Sequence, residues 1–350
     1  MKTISLCMIV KNEEKNLRKC LSSIKDVVDE IIIVDTGSSD STIEIAKKYT
    51  NKVYHFDWIN DFAAARNYSL SFATKDYIMW LDADDYIKKS QKEKLQQLKQ
   101  SNDNADMYYF LYDFNDSFQP FYRERLFLRN MNYKFKGKIH EAIIPSGNIK
   151  YVDIIINQQN IEKKLTRRNI DIFESLKDDE FTSRDYYYYA KELLRHNETE
   201  KAITYLNTFI NLKNTYYEDK IDALYLLGNL YSTRKNYNLA LETYFKSFNV
   251  TLPRPNILCE IANVYFINGF YNEAIYYYKL ALESRNIPNT TFIHKDYLGY
   301  IPSLQLCVCY DKLKDYKTAN KYNELAYKYK KNKEIYQFNK KYFKERLKEM

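Results

Sequence analysis

Hydrophobic positions change their period along the chain, and the change divides the chain into two parts. In the first 150 residues, short apolar runs rich in β-branched and aromatic residues alternate with segments of helical period. Such runs are typical of strands covered on both faces. The predicted strands are 4–10, 30–35, 53–56, 77–81 and 107–112, and the predicted helices are 13–24, 41–49, 62–72 and 88–99. This alternation indicates βαβ units, so the predicted fold class is α/β with a largely parallel sheet.

From about residue 184 a helical repeat replaces this pattern. A small residue is followed twelve positions later by alanine in four places, and tyrosines follow the small residue in phase in the last three copies. The four pairs are Ala190/Ala202, Gly228/Ala240, Ala262/Ala274 and Cys307/Ala319. Small residues at this spacing allow two antiparallel helices to approach closely. The pattern resembles tetratricopeptide repeats and predicts an all-α solenoid, with a generic helical bundle as the alternative.

The two patterns predict three segments. An α/β domain spans residues 1–160, a charged helical linker spans 161–183, and the repeats span 184–350. No run of 18 apolar residues is present, so no transmembrane helix is predicted. The five scattered cysteines match neither a disulfide framework nor a zinc site, which favours a reducing cytoplasm.

The net charge of +8 lies mostly at the end of the chain. Residues 328–350 contain nine Lys or Arg and three Glu, a net +6, which leaves +2 for the remainder. A basic stretch of this kind is typical of a solvated helix face, and contact with a membrane surface is the alternative. We therefore predict no nucleic-acid partner.

Polar side chains follow three predicted strands at the point where each strand ends. The first runs into Lys11-Asn12-Glu13-Glu14, the second into 35–40, and the fourth into Asp82-Ala83-Asp84-Asp85. Because the carboxyl ends of neighbouring parallel strands meet at one rim of a sheet, we expect these groups to lie together. Three buried carboxylates need compensation, and oxygen ligands suit Mg²⁺ or Mn²⁺ shared with a phosphate.

Some of these residues also have purely structural explanations. Asp35 and Asp40 are candidates for turn or helix-capping roles, and Glu14 for an exposed helix turn.

Four segments in sequence order resemble family 2 glycosyltransferases. They are residues 5–14, 30–40, 65–67 and 80–85, and the order and spacing match the family over 3–145. With its repeats, the chain is similar to a bacterial subgroup that joins a nucleotide-sugar-binding domain to tetratricopeptide repeats and includes enzymes that glycosylate peptides and proteins. The resemblance implies a Rossmann-like GT-A domain, a UDP-sugar donor and Mn²⁺ or Mg²⁺.

The resemblance also implies how the donor is bound. Asp35 would hydrogen-bond the uracil or ribose, and Asn12 and Glu14 would form another wall of the nucleoside pocket. Asp82 would lie near the ribose. Arg66 would hold the nucleotide or its leaving phosphates, with an ordinary surface helix arginine as the alternative.

The implied catalytic groups lie at the acidic cluster and further along the chain. Asp84 would ligate the metal that bridges the diphosphate, with Asp82 beside it and Asp85 in the donor site. Members of this branch carry a His-Glu pair that corresponds here to His140-Glu141. Glu141 would take the acceptor's proton and His140 would neighbour the metal or phosphate, with two exposed strand residues as the alternative.

One segment departs from the family pattern. Related sequences often have a histidine where this chain reads Ile156-Asn157-Gln158-Gln159-Asn160. If that histidine ligates the metal in relatives, an amide replaces it here, and the choice between Asn157 and Gln158 stays open.

The predicted function is a metal-dependent, inverting glycosyltransferase. It would move a hexose or N-acetylhexosamine from a UDP-sugar to Ser, Thr or Cys of a peptide or protein that docks with help from the repeats. The alternatives are a cell-envelope saccharide or lipid-linked acceptor, repeats that form a homodimer, and a binding protein with an inactive transferase domain. A nucleotidyltransferase is disfavoured because residues 11–14 contain no glycine for a phosphate loop.

Overall fold

The structure is a computed structural model that describes residues 1–114, 117–159, 165–177, 180–284 and 293–348. Within it the chain forms two compact units. The N-terminal unit comprises Met1–Asp116 and Pro120–Glu180, and the C-terminal unit comprises Ser117–Gln119 and Phe181–Met350. Asn160 and residues 161–164 and 178–179 of the predicted linker lie outside the described residues.

The N-terminal unit contains an eight-stranded sheet, a two-stranded ribbon and five α-helices among its described residues. The strands are β1 (Ile4–Val10), β2 (Glu30–Asp35), β3 (Val53–His55), β4 (Tyr77–Trp80), β5 (Asp85–Tyr86), β6 (Met107–Asp113), β7 (Phe121–Leu128), β8 (Phe135–Lys136), β9 (Ala142–Ile143) and β10 (Ile149–Gln158). The helices are α1 (Leu17–Ile24), α2 (Thr42–Ala46), α3 (Phe62–Leu70), α4 (Lys89–Gln100) and α5 (Arg168–Glu174).

The order of strands in the large sheet is β3-β2-β1-β4-β7-β6-β10-β5. The predicted α/β class is confirmed, and β1 lies between β2 and β4 with both pairs parallel. The expectation of a largely parallel sheet holds for β1 to β4 and for the pair β6 and β10, but the sheet is mixed, because β7 runs antiparallel to both β4 and β6. The described residues between β6 and β7 contain no helix, and β7 pairs with β6 as an antiparallel neighbour.

Side chains of β1 alternate between two hydrophobic cores, one on each face of the sheet. Leu6 and Met8 pack with Leu21 of α1 on one face. Cys7 points to the other face, where Trp80 belongs to the same core. Burial on both faces explains why this strand is apolar at nearly every position.

The predicted helix 13–24 begins only at Leu17. The residues before it form a loop that is bound to the loop after β2. The amide of Glu13 donates to Thr42 Oγ1 at 2.7 Å, and the amide of Glu14 donates to Asp40 Oδ2 at 3.1 Å. These bonds replace the first helical turn.

The C-terminal unit is all-α in its described residues apart from an isolated bridge between Phe118 and His294. Its helices are α6 (Ser183–Arg195), α7 (Thr199–Asn211), α8 (Tyr217–Thr233), α9 (Tyr237–Lys246), α10 (Pro255–Ile267), α11 (Tyr271–Glu283), α12 (Tyr300–Lys312), α13 (Tyr316–Tyr329) and α14 (Lys333–Arg346). Each predicted small-residue pair falls on one hairpin of consecutive helices, from α6/α7 to α12/α13, so the repeat prediction is confirmed. Within the described ranges, no helix is long and apolar enough to cross a membrane.

Candidate active site

The loops after β1 and β2 lie side by side and carry the predicted nucleoside-pocket residues. Asn12 adopts a left-handed conformation with φ of 55°, and its Oδ1 accepts a hydrogen bond from the Ser39 amide at 2.8 Å. Glu14 Oε2 accepts one from the Ser41 amide at 3.2 Å. Both side chains therefore hold the two loops together at the rim of the sheet.

Asp35 ends β2 and is buried. Its Oδ2 accepts hydrogen bonds from the backbone amides of Gly37 and Ser38, each at 3.0 Å. This is the turn-forming role that its position also suggested. The ring of His55, at the end of β3, lies 4.0 Å from the same oxygen.

The acidic turn after β4 points its carboxylates toward separate partners. Asp85 and Arg125 form an ion pair at 3.0 Å in which neither side chain is exposed. Asp82 Oδ1 accepts from Arg66 Nη2 at 2.7 Å, and a third of the Asp82 side chain remains exposed. Two arginines from other elements therefore supply much of the compensation that the buried acidic cluster requires.

Burial and these guanidinium groups together shift the pKa values of Asp85 and Asp82 in opposite directions. Burial raises the pKa of Asp85 despite the neighbouring Arg125. For Asp82, burial favours the neutral form, but Arg66 and Arg125 outweigh it and hold the pKa well below its usual range. Asp82 is therefore the more firmly ionised of the two.

Asp84, the predicted metal ligand, lies beside an amide. It is buried, and its Oδ2 accepts from Gln158 Nε2 at 2.9 Å. The neighbouring Asn157 instead donates to Asp113 Oδ2 at 3.2 Å. Strand β10 pairs with β5, and in this register Gln158 lies opposite Asp85. Of the two amides in the segment that differs from the family pattern, Gln158 is therefore the one beside Asp84.

The Arg66 guanidinium joins two distant parts of the sequence. Its Nη2 donates to Asp82 and its Nε donates to Glu141 Oε1 at 2.5 Å. Its neighbour Asn67 makes two hydrogen bonds with the backbone of Phe135, both at 2.9 Å. One turn of α3 therefore holds the segment that carries Glu141 against the end of β4.

His140 and Glu141 lie in the short connection between β8 and β9. His140 has a left-handed backbone with φ of 50°, which is uncommon for a residue other than glycine. The Glu141 side chain is 10% exposed. Among the described residues, Glu141 Oε2 has no hydrogen-bond partner, so it is free to accept one from a ligand.

Three arginines surround the indole of Trp80, the last residue of β4. The guanidinium carbons of Arg125, Arg66 and Arg123 lie 3.9, 4.6 and 4.9 Å from the ring centroid. Arg123 and Arg125 are two residues apart on β7, which the sequence did not predict as a strand. The two arginines of Phe121–Leu128, at alternate positions among aromatic residues, were a signal that points to a buried cationic face.

Thus the structure brings Asp82, Arg66 and Glu141 into direct contact and places Asp84 in the same turn as Asp82. Asn12, Glu14 and Asp35 form a second group after β1 and β2. Asp85 has no exposed surface, so the structure gives it a supporting contact with Arg125. The residues to which sequence reasoning assigned no role are Asn67, Trp80, Arg123 and Arg125, whereas Gln158 was one of the two amides left open.

The donor groups around Asp84 fit a hard cation only with help from the substrate. Within the described ranges, no group of three or more His, Cys, Asp or Glu side chains could hold a metal ion. The Asp84 carboxylate accepts a hydrogen bond from the amide nitrogen of Gln158, so the oxygens of these two side chains are the candidate protein ligands. Mg²⁺ is commonly held by one or two protein oxygens together with substrate phosphates, which agrees with this sparse set.

Comparison with known proteins identifies the N-terminal unit. The family description "Glycosyl transferase family 2" matches residues 5–151. The SPbeta prophage-derived glycosyltransferase SunS of Bacillus subtilis (strain 168) is 31% identical over 278 residues, which cover 72% of this chain and 64% of SunS. The chain therefore spans less than two thirds of the length of that relative.

Other similar proteins include a repeat-containing protein and a solved structure with a bound nucleotide sugar. A TPR repeat-containing protein of Synechococcus elongatus is 41% identical over 146 residues, 41% of this chain and 36% of that protein. Among solved structures, Staphylococcus aureus TarS 1–349 in complex with UDP-GlcNAc is 16% identical with a TM-score of 0.38, covering 65% of this chain and 81% of that one.

The C-terminal part of a TPR repeat-containing protein from Cytophaga hutchinsonii is 20% identical with a TM-score of 0.36, covering 47% of this chain and 58% of that one. The chain therefore contains a glycosyltransferase family 2 domain at residues 5–151, joined to C-terminal helices of the tetratricopeptide-repeat type.

Proposed function

We propose that the protein is a metal-dependent, inverting glycosyltransferase that transfers a hexose or N-acetylhexosamine from a UDP-sugar to a peptide or protein. The observation that supports this most directly is the Arg66 bridge between Asp82 and Glu141. It brings an acidic turn suited to a diphosphate and a carboxylate suited to acid–base chemistry into one place, inside a domain of the family.

In the proposed reaction Glu141 is the base. Its Oε1 is held by Arg66, and Oε2 accepts the proton from the hydroxyl or thiol of the acceptor. The acceptor oxygen or sulfur forms a bond to the anomeric carbon from the face opposite the leaving group. The bond from that carbon to the diphosphate oxygen breaks, its electron pair leaves with UDP, and the configuration inverts.

The metal, held by Asp84 with Gln158 beside it, would neutralise charge on the departing diphosphate. Asp82, ionised and bound to Arg66, would lie near the ribose of the donor and position it. Asp35, Asn12 and Glu14 would bind the nucleoside, with their loop contacts setting the shape of the pocket. His140 would lie next to the metal or phosphate.

The first experiment measures UDP released from a panel of UDP-sugars in the presence of Mn²⁺. We expect release by the wild type and a decrease of at least about a hundredfold in Asp84→Ala and Glu141→Gln. Asp26→Asn, an exposed position beside α1, is the control and should match the wild type. Equal release by the wild type and Asp84→Ala would exclude the assigned metal site.

A second experiment tests the role of Gln158 in metal binding without relying on activity. We expect Gln158→Ala to weaken Mn²⁺ binding in the presence of UDP about tenfold, as measured by electron paramagnetic resonance of free Mn²⁺. Gln159→Ala is the matched control, since in the part of the chain that the structure describes that side chain bonds to the backbone oxygens of Asn16 and Ala83. Unchanged binding by Gln158→Ala would remove the amide from the proposed site.

The acceptor proposal draws on the repeats. Stacked helical hairpins form extended surfaces that suit a peptide segment. Intact-mass measurement on candidate peptides and proteins, with transfer expected as an increment of one sugar at Ser, Thr or Cys, tests it. Transfer only to envelope saccharides or lipid-linked sugars would replace the peptide acceptor.

A further inference from the structure

The three arginines around Trp80 differ in how their charges are used. Arg66 is bound by two carboxylates through Nη2 and Nε. Arg125 is fully buried in its ion pair with Asp85. Two of the three guanidinium groups are therefore neutralised by protein carboxylates.

Arg123 is the exception. Among the described residues its guanidinium group forms no hydrogen bond and no ion pair, and lies over the rings of Trp80 and Tyr112, at 4.9 and 5.7 Å from their centroids. A guanidinium group has five N–H donors that lie in its plane. Stacking on aromatic rings occupies the faces of that plane and leaves the donors at its edge for an anion.

The guanidinium group of Arg123 remains protonated. Burial disfavours its charged form, but the carboxylates of Glu124 and Asp82 outweigh that effect and raise its pKa above the ordinary value. Arg123 is partly exposed, unlike Arg125. It is therefore a permanent cation that retains donors for a ligand, although it lies in a largely buried environment.

The position of Arg123 indicates which ligand it would meet. It shares the Trp80 ring with Arg66, and Arg66 holds Asp82 at the start of the acidic turn. A donor bound at that turn would bring its diphosphate to this side of β4. Oxygen atoms of a diphosphate are strong acceptors that match the planar donor edge of arginine.

We propose that Arg123 binds the diphosphate of the donor nucleotide, and that Arg66, whose donors serve Asp82 and Glu141, acts instead as a positioning residue. This inference rests on the proposed UDP-sugar donor. It moves the phosphate-holding role from the arginine that the sequence indicated to one on the unpredicted strand β7.

The test compares UDP with uridine, which lacks the phosphates, by isothermal titration calorimetry in Mn²⁺. The wild type should bind UDP more tightly than uridine. Arg123→Gln should weaken UDP binding roughly ten- to a hundredfold and leave uridine binding unchanged, because only the charge-assisted contacts are lost. Arg123→Lys, which keeps the charge, should recover part of the affinity.

Arg129→Ala is the matched control on an exposed arginine, whose Nε donates to the Lys75 carbonyl. It should bind both ligands as the wild type does. If Arg123→Gln weakened UDP and uridine equally, or left UDP unchanged, Arg123 would not be the phosphate ligand. If the wild type bound no UDP, the proposal of a UDP-sugar donor would be wrong, and the role of Arg123 that depends on it would be rejected as well.

Discussion

At the scale of single residues, the candidate site is organised by charge pairing. The acidic turn after β4 is stabilised by two arginines from α3 and β7 and by one amide from β10. The sequence indicated that a cation must compensate Asp82, Asp84 and Asp85. The structure shows that the protein itself supplies part of that compensation, and Asp84 is the residue that we propose as the metal ligand.

Removing the Arg66 guanidinium should destabilise the N-terminal unit. Arg66→Ala leaves Glu141 buried without its partner and Asp82 without the cation that is bonded to it, so we expect a loss of about 3 kcal/mol in the free energy of unfolding. Arg66→Lys keeps the charge but cannot bridge both carboxylates in the same way, and it should recover only part of this loss.

Urea denaturation at neutral pH measures both Arg66 variants, with Arg129→Ala as the control for loss of an exposed arginine. An Arg66→Ala protein as stable as the wild type would mean that the bridge contributes little, and that Glu141 is held by other contacts.

At the scale of elements, hydrogen bonds to one carboxylate connect the amino ends of the central strands. Glu30, the first residue of β2, accepts hydrogen bonds from Ser5 of β1, Thr74 before β4 and Lys52 before β3. One buried carboxylate therefore connects the beginnings of four neighbouring strands. This end of the sheet is structural, whereas the opposite end carries the site.

Glu30 should make stability depend on pH in the acid range. Burial favours its neutral form, but hydrogen bonds from Lys52, Ser5 and Thr74 outweigh it and lower the pKa to about 2 from 4.5. The folded state binds the proton less readily than the unfolded state. The stabilisation is therefore complete above about pH 4.5 and is lost as the pH falls toward 2.

A pKa lowered to this extent corresponds to roughly 3 kcal/mol of stability at neutral pH. We expect Glu30→Gln to lower stability at pH 7 and to flatten the dependence between pH 5 and 3, measured by urea denaturation at each pH. Glu93→Gln, on an exposed position of α4, is the control. A parallel decline of wild type and Glu30→Gln over this range would contradict the assignment.

The helical hairpins depend on the small residues that the sequence singled out. A Cβ added to Gly228 of α8 would lie 2.3 Å from the ring of Tyr244 on α9. Alanine normally stabilises a helix relative to glycine, but here the clash should dominate and cost about 1–3 kcal/mol. Thermal unfolding followed by circular dichroism should show a lower midpoint for Gly228→Ala.

A double-mutant cycle with Tyr244→Leu identifies the cause. In the Tyr244→Leu background, Gly228→Ala should no longer destabilise the protein. Equal destabilisation in both backgrounds would show that contacts other than the Tyr244 ring determine the need for glycine.

At the scale of the whole molecule, the chain combines a transferase domain with a repeat unit, and we assign the two different tasks. All groups proposed for donor binding and proton transfer lie in the N-terminal unit. The C-terminal unit contains no residue of the proposed catalytic set, and its proposed task is to dock the acceptor. The assignment predicts that the two activities respond separately to deletion.

Deletion of residues 181–350 should leave UDP binding within about twofold of the wild type and abolish transfer to a peptide or protein acceptor. Titration with UDP confirms that the remaining unit is folded, and intact-mass analysis measures transfer. Unchanged transfer would show that the repeats do not dock the acceptor.

The sequence predicted the elements whose signal is local. Strands β1 and β2 have the predicted bounds, because each is a continuous apolar run buried on both faces. The repeats were recognisable for the same reason, since small residues and tyrosines return at fixed spacing within each hairpin. Strand β7 was missed because Arg123, Glu124 and Arg125 interrupt its apolar pattern.

By itself the sequence therefore determined the two-part architecture and the placement of Asp82 and Asp84 after a buried strand. Only the tertiary structure decided that Asp85 is buried against Arg125, that Arg66 binds both Asp82 and Glu141, and that Gln158 lies at Asp84. The physical reason is the separation along the chain between the residues that interact. Periodicity is set by neighbours in the chain, whereas these charge pairs join residues far apart in sequence and depend on the order and direction of strands in the sheet.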